Sequence, residues 1–144
     1  MVSSRRKARG AALQALYEID IAGHSRDKVL TGALGAAQLS LENEGFVRKL
    51  VDGILEKKSE LDGYISRFAP AWPLAQLAVI DRNVLRLAMY EMLYVGQTPV
   101  KVVINEAVEL AKGYGSENSP KFVNGVLSSF NSSILDSGQA SLEG

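Results

Sequence analysis

The chain has 144 residues, 47% of them hydrophobic, which suits one compact domain with a sizeable core. With no cysteine and a single histidine, His24, it has neither a disulfide framework nor the ligands of a thiolate or histidine-cluster metal site, so the expectation is an intracellular, metal-free protein without cofactor. Sixteen Lys and Arg balance sixteen Asp and Glu, yet Arg5, Arg6, Lys7 and Arg9 all precede the first acid, Glu18, and a mildly acidic body follows this basic arm. Such an arm is either a local anion site or a solvated, fraying terminus, and the run alone does not choose.

Apolar spacing is helical nearly throughout and no useful stretch alternates with period two, which predicts an all-α fold of about seven helices. The first helix starts at Ser3 or Ser4, buries Ala8, Ala12, Ala15, Leu16, Ile19 and Ala22, and stops at Gly23. A shorter segment over 27–37 is interrupted by Gly32 and Gly35, each of which costs about 1 kcal/mol of helix stability. A third helix over 41–57 carries Phe46, Val47, Leu50, Val51, Ile54 and Leu55 on one stripe, and Ser59 is the expected cap of a fourth with Leu61, Ile65 and Phe68 inward.

Pro70 and Pro73 break the pattern around Trp72, which is expected to plug a hinge between two small lobes, about 1–70 and about 71–135. The fifth helix, over 74–95, is apolar on most of its circumference and ends at Gly96. It carries Asp81, Arg82, Arg86 and Glu91, too many charges for a bilayer span, and the residues near the start lack the charged region, apolar run and cleavage site of a secretory signal, so secretion is not expected. Thr98 as cap and Pro99 as first residue open the sixth, with Val100, Val103, Ala107, Leu110 and Tyr114 inward, and Gly113 and Gly115 end it. Asn118 or Ser119 caps the last helix ahead of Pro120, and Val123, Val126, Leu127, Phe130 and Ile134 face its core. Residues 136–144 are small and polar, which predicts a flexible tail.

No catalytic constellation stands out: His24 sits in a Gly-His-Ser turn without nucleophile or orienting acid, and carboxylate pairs such as Glu106 with Glu109, or Asp81 with Glu91, read as charged helical faces. Nucleic-acid binding fares better. At 100° per residue Arg6, Gly10, Leu13 and Tyr17 form one stripe of the first helix, about 16 Å long between Arg6 and Tyr17, with Gly10 leaving its middle open. Guanidinium groups hold phosphates and a tyrosine face accepts an unpaired base, so single-stranded RNA suits the stripe, although Tyr17 taken without Phe122 reads more readily as an edge-of-core residue with its hydroxyl in water. Phe122 lies about 100° off the core direction of the last helix, beside Lys121 and the amides of a helix start; it either packs on a neighbouring helix or serves a ligand.

The phrases PVKVVINEAVELAK and GSENSPKFVNGVL, together with SSRRKARGAALQALYEID near the start, resemble the bacterial transcription antitermination factor NusB family over nearly the whole chain. The resemblance implies a small, non-catalytic, cytoplasmic, all-helical protein that binds boxA single-stranded RNA together with NusE, the small-subunit ribosomal protein. It would join other Nus factors on RNA polymerase during ribosomal RNA transcription. It also implies an RNA face made of Arg5, Arg6, Lys7, Arg9, Tyr17, Lys121, Phe122 and Asn124, with Asn118 where relatives usually have an acid. The phrase IDRNVLRLAMYEM makes Asp81, Arg82 and Arg86 the candidates for the protein partner. Competing expectations are the NusB-like RNA-recognition domain of an RNA cytosine methyltransferase, for which the chain leaves no room for a cofactor domain, and a purely structural helical module. A monomer and a homodimer that hides the RNA face are both open expectations.

Overall fold

The computed structural model describes residues 4–136; Ser3 and the predicted tail from 137 onward lie outside the described residues. Among the described residues there are seven α-helices and no strand: α1 (Ser4–Ala22), α2 (Arg26–Ala37), α3 (Leu41–Glu56), α4 (Lys58–Phe68), α5 (Val79–Tyr90), α6 (Val100–Tyr114) and α7 (Ser119–Phe130). A 3₁₀ turn, Leu74–Gln76, precedes α5, and the last turns after α5 and α7 widen to π geometry over Glu91–Val95 and Asn131–Leu135. The chain divides into two compact units, the first ending at Lys57 and the second starting at Lys58. That division falls one helix earlier than the turn at Trp72, because Leu61 and Ile65 of α4 are fully buried and α4 packs on α5 and α7.

In the first unit α1 packs against both α2 and α3. Its alanines 8, 11, 12 and 15 are buried and bring helix axes close, while Val29, Leu30 and Leu34 of α2 and Phe46, Val47, Leu50, Val51 and Ile54 of α3 supply the bulk. Ser25 and Ser40 cap α2 and α3, each side chain accepting from the amide three residues on, Lys28 and Asn43. Gly23 ends α1 at φ +69°, and Gln38 ends α2 in the left-handed region at φ +53°, a conformation that costs a non-glycine residue about 1 kcal/mol or more. Arg26 at the start of α2 grips Asp52 of α3, with Nη2 donating to Oδ2 at 2.8 Å, and this hydrogen bond above all holds the Asp52 carboxyl below its ordinary range.

The second unit is built around α5, against which α4, α6 and α7 all pack. Every residue from Asn83 to Met92 is buried, including the polar Asn83, Arg86 and Glu91, which bears out an element surrounded by others. Its start is later than expected: Leu77 and Ala78 are extended, and no Ser, Thr, Asp or Asn stands between Pro73 and Ala78 to mark the boundary. Phe130 is fully buried, with the rings of Tyr64 and Phe68 edge-on to it at 5.1 and 6.0 Å. Several expectations need correction. Ala22 is exposed rather than buried, and Thr98 does not cap α6, which begins at Val100 with Pro99 in the cap position and no side-chain capping bond. Ser59 does not cap α4 but lies in its first turn, since Lys57 closes α3 and the next residue opens α4. Trp72 is 54% exposed rather than a plug, and Tyr114, the last residue of α6, is exposed rather than inward.

The connection from α6 to α7 is tied by Ser119 and not by a conventional cap. Asn118 makes no capping bond; instead the Ser116 amide donates to Ser119 Oγ at 2.9 Å, the two hydroxyls lie 3.1 Å apart, and Ser119 is buried. This brings Ser119 so near Gly115 that a Cβ there would lie 2.5 Å from Ser119 Oγ and 2.9 Å from the Ala111 carbonyl oxygen. Gly115→Ala is therefore expected to destabilise by about 1–3 kcal/mol in urea unfolding. Gly113→Ala, at a helical site with open space around it, should leave stability unchanged or raise it.

Tyr94 donates its hydroxyl to a Glu60 carboxylate oxygen, and that bond, followed by burial and the carboxylate's charge, pushes its pKa from 10.0 up to about 12. A folded-state value above the ordinary one means the contribution is complete below pH 10 and is lost as pH rises towards 12. Thermal unfolding of Tyr94→Phe should show a small loss at neutral pH and a flatter decline than the parent between those two values; an unchanged alkaline decline would remove Tyr94 as its source.

Candidate nucleic-acid interface

On α1 the four basic residues take different places. Lys7 is exposed and Arg6 half-buried. Arg5 is also half-buried: its Nη1 donates to Asn43 Oδ1 at 2.8 Å, and its guanidinium carbon lies 3.7 Å from the centroid of the Phe46 ring. Arg9, expected at the surface, is only 5% exposed, with its guanidinium 5.7 Å from the same ring. It is part of the interior of the first unit. The stripe through Arg6, Gly10, Leu13 and Tyr17 is likewise not open along its length, since Gly10 and Leu13 are buried and every residue from Ala8 to Leu13 is covered. Six consecutive buried residues exceed one helical turn, so the helix is surrounded there and one-face reasoning fails. Tyr17 itself is 37% exposed, a ring partly in water.

On α7 the expected inward residues Val123, Val126, Leu127 and Phe130 are buried. Asn118, Lys121, Asn124 and Ser128 are all exposed, at helical spacings of three and four that place them on one solvent-facing stripe. Phe122, beside that stripe, is half-buried: its ring is neither sealed in the core nor fully in water. Because Ser119 is engaged backward with Ser116, no side chain at the α7 start accepts from the first-turn amides in the manner of a cap. A cation and a half-exposed ring thus share one turn, an arrangement suited to a phosphate with a base beside it; of the first-turn amides, Ser119 and Phe122 already donate to the Ser116 and Asn118 carbonyls and Pro120 has none.

The candidates for a protein partner separate clearly. Arg86 is buried, donating from Nε and Nη2 to both oxygens of Asp62 at 2.7 and 3.1 Å and from Nη1 to Asn83 Oδ1 at 3.1 Å, while Asn83 Nδ2 donates to the Val79 carbonyl at 2.9 Å. It ties α5 to α4, and its burial leaves little surface for the partner contact expected of it. Arg82 is half-buried. Asp81, in the first turn of α5, is 9% exposed and its Oδ1 is buried without a hydrogen-bond partner. Together with Glu91, which is 2% exposed, it shows that this carboxylate pair is not the solvated charged face expected of it. Glu109 does behave that way, pairing with Lys112 at 3.1 Å. His24 is exposed and lies 3.4 Å from a Glu18 oxygen, and among the described residues no cluster of three potential ligands could hold a metal ion. No described helix is long and apolar enough to cross a membrane.

The sequence profile of the NusB family matches residues 6–132. The chain belongs to the NusB family. It is 50% identical over 136 residues to the transcription antitermination protein NusB of Dehalococcoides mccartyi (strain ATCC BAA-2266 / KCTC 15142 / 195), covering 94% of this chain and 95% of that one. NusB of T. maritima superposes with a TM-score of 0.85 at 39% identity, over 92% of this chain and 94% of its own. A chain of the crystal structure of antitermination factors NusB and NusE in complex with dsRNA gives a TM-score of 0.81 at 28% identity, over 90% and 96% of the two chains. These relatives are named for transcription antitermination. The NusB resemblance did not single out Asn43 and Phe46, which hold Arg5. Phe46 was legible only as the first large residue of an apolar stripe, and nothing in sequence links it to an arginine on another helix.

The Asp62–Arg86 pair gives a direct test of its structural role. Asp62→Ala, which strands a buried guanidinium, should cost about 3 kcal/mol in denaturant unfolding, at the low end of the usual range because 19% of the Asp62 side chain is exposed. Replacing Asp62 and Arg86 together by apolar residues of similar size should cost less than Asp62→Ala alone.

Proposed function

We propose that the chain is a cytoplasmic antitermination adaptor. It binds boxA single-stranded RNA together with NusE and joins other Nus factors on RNA polymerase during ribosomal RNA transcription. The observation that carries this reading is the turn at the start of α7, where exposed Lys121, Asn118 and Asn124 flank the half-exposed ring of Phe122, in a family with a member solved in complex with NusE and RNA. Lys7, Arg6 and Arg5 on α1 supply cations for phosphates, and Tyr17 offers a partly exposed ring. Aromatic side chains favour unpaired bases, because a duplex keeps its base faces stacked on each other. For NusE, Asp81 and half-buried Arg82, in one turn of α5, are the candidate contacts. Arg9 and Arg86 have no direct contact in this reading.

Binding should be measured by fluorescence anisotropy with boxA-type, scrambled and double-stranded RNA, with and without NusE. Preference for the boxA-type single strand, strengthened by NusE, is the expected result; equal binding of all three RNAs would reject the reading. If about three or four phosphates are neutralised, log K against log salt falls with a slope of about −2 to −3 on single strands. Phe122→Ala should weaken binding by about tenfold or more through loss of a stack. Asn118→Asp, which adds a negative charge beside Lys121 while keeping a residue suited to a helix start, should weaken it modestly at low salt and leave thermal stability unchanged.

A further inference from the structure

Arg5 is held unlike an ordinary surface arginine. Ser40 Oγ accepts from the Asn43 amide at 3.2 Å and so fixes the first turn of α3; Asn43 Oδ1 then accepts from Arg5 Nη1 at 2.8 Å; and the Phe46 ring lies 3.7 Å beneath the guanidinium carbon. Asn43 and Phe46 are 6% and 7% exposed, so both are immobilised by the core, whereas Arg5 stays half in solvent. Arg9, on the same ring at 5.7 Å and nearly buried, backs this arrangement from the interior. Neither the amide nor the ring is charged. They fix the Arg5 guanidinium without neutralising it, and one of its five N–H donors is engaged by Asn43.

A free arginine side chain gives up about 2 kcal/mol of rotamer entropy when it is held in one geometry, a cost that falls on binding unless the fold has already met it. We propose that Asn43 and Phe46 are positioning residues for Arg5: they hold its guanidinium in one orientation so that its remaining donors meet an RNA phosphate preorganised. The proposal rests on the RNA-binding reading above and adds α3, which makes no RNA contact in it, to the determinants of affinity. The basic arm is thereby divided by role, with Arg9 supporting the ring, Arg5 clamped at the boundary, and Lys7 exposed.

The test uses the full chain and a fluorescent boxA-type single-stranded oligonucleotide. Phe46→Leu keeps apolar volume and removes the ring; Asn43→Ala removes the acceptor; Phe46→Tyr keeps the ring. The first two should each weaken binding by about two- to fivefold, the scale of one partly exposed cation–π contact, and Phe46→Tyr should restore parental affinity. In an Arg5→Ala background Phe46→Leu should cause no further loss. An equal loss in both backgrounds would show that Phe46 acts through the fold, and would overturn the proposal. NMR of the RNA-free chain gives an independent readout: the Arg5 Nε–H signal should be displaced by the ring current in the parent and return to its solvent-exposed position in Phe46→Leu. An undisplaced signal in the parent also overturns it. If the parent binds no RNA while the signal is displaced, the RNA reading fails and the clamp stands without function. Should Phe46→Leu fail to fold, Asn43→Ala and the NMR signal decide.

Discussion

A guanidinium withdrawn from water must be given partners, and the packing of both units is organised around that constraint. In the second unit Arg86 reaches Asp62 with two donors and Asn83 with a third, so the link between α4 and α5 has a defined register as well as apolar contact. In the first unit Arg5 and Arg9 share the Phe46 ring, and Asn43 completes the set. The two solutions differ in kind. A carboxylate neutralises Arg86, whereas an amide and a ring leave the charge of Arg5 intact, so only the second keeps a cation available for a ligand.

The pairing of polar groups also shapes the start of α7. Ser119 commits its hydroxyl to the preceding turn, which draws the chain so close at Gly115 that no side chain fits. The tight turn in turn leaves Asn118 uncommitted as a cap and sets Asn118, Lys121 and Asn124 on the solvent side, with Phe122 at the margin of the core. A helix start whose polar residues point outward, beside a ring that is only half covered, is a more usable ligand surface than one closed by its own cap. Structure and surface chemistry are therefore coupled through one small residue.

Much of the fold was legible in the residues. Helical apolar spacing gives the seven helices, Gly23 and Gly96 adopt the left-handed conformation that ends α1 and the π turn after α5, and the inward set of α7 is read directly from Val123, Val126, Leu127 and Phe130. The errors cluster where spacing carries no information. The start of α5 has no capping residue, so the pattern ran on to Pro73; the boundary between units follows the packing of α4, which no composition shift marks. Trp72 is large and apolar yet exposed, and only the absence of covering neighbours reveals it.

What the sequence by itself determined is the list of helices, the inventory of cations and rings, and through its phrases the NusB family. What only the tertiary structure decided is which of those cations remain available. Arg5, Arg6, Lys7 and Arg9 are near-equivalent in sequence, and Arg82 and Arg86 share one helix, but Arg9 and Arg86 are buried while Lys7 is exposed. The physical reason is that burial of a charge depends on partners from other helices, Phe46 and Asn43 on α3 or Asp62 on α4, whose proximity is a property of packing and leaves no local periodic trace.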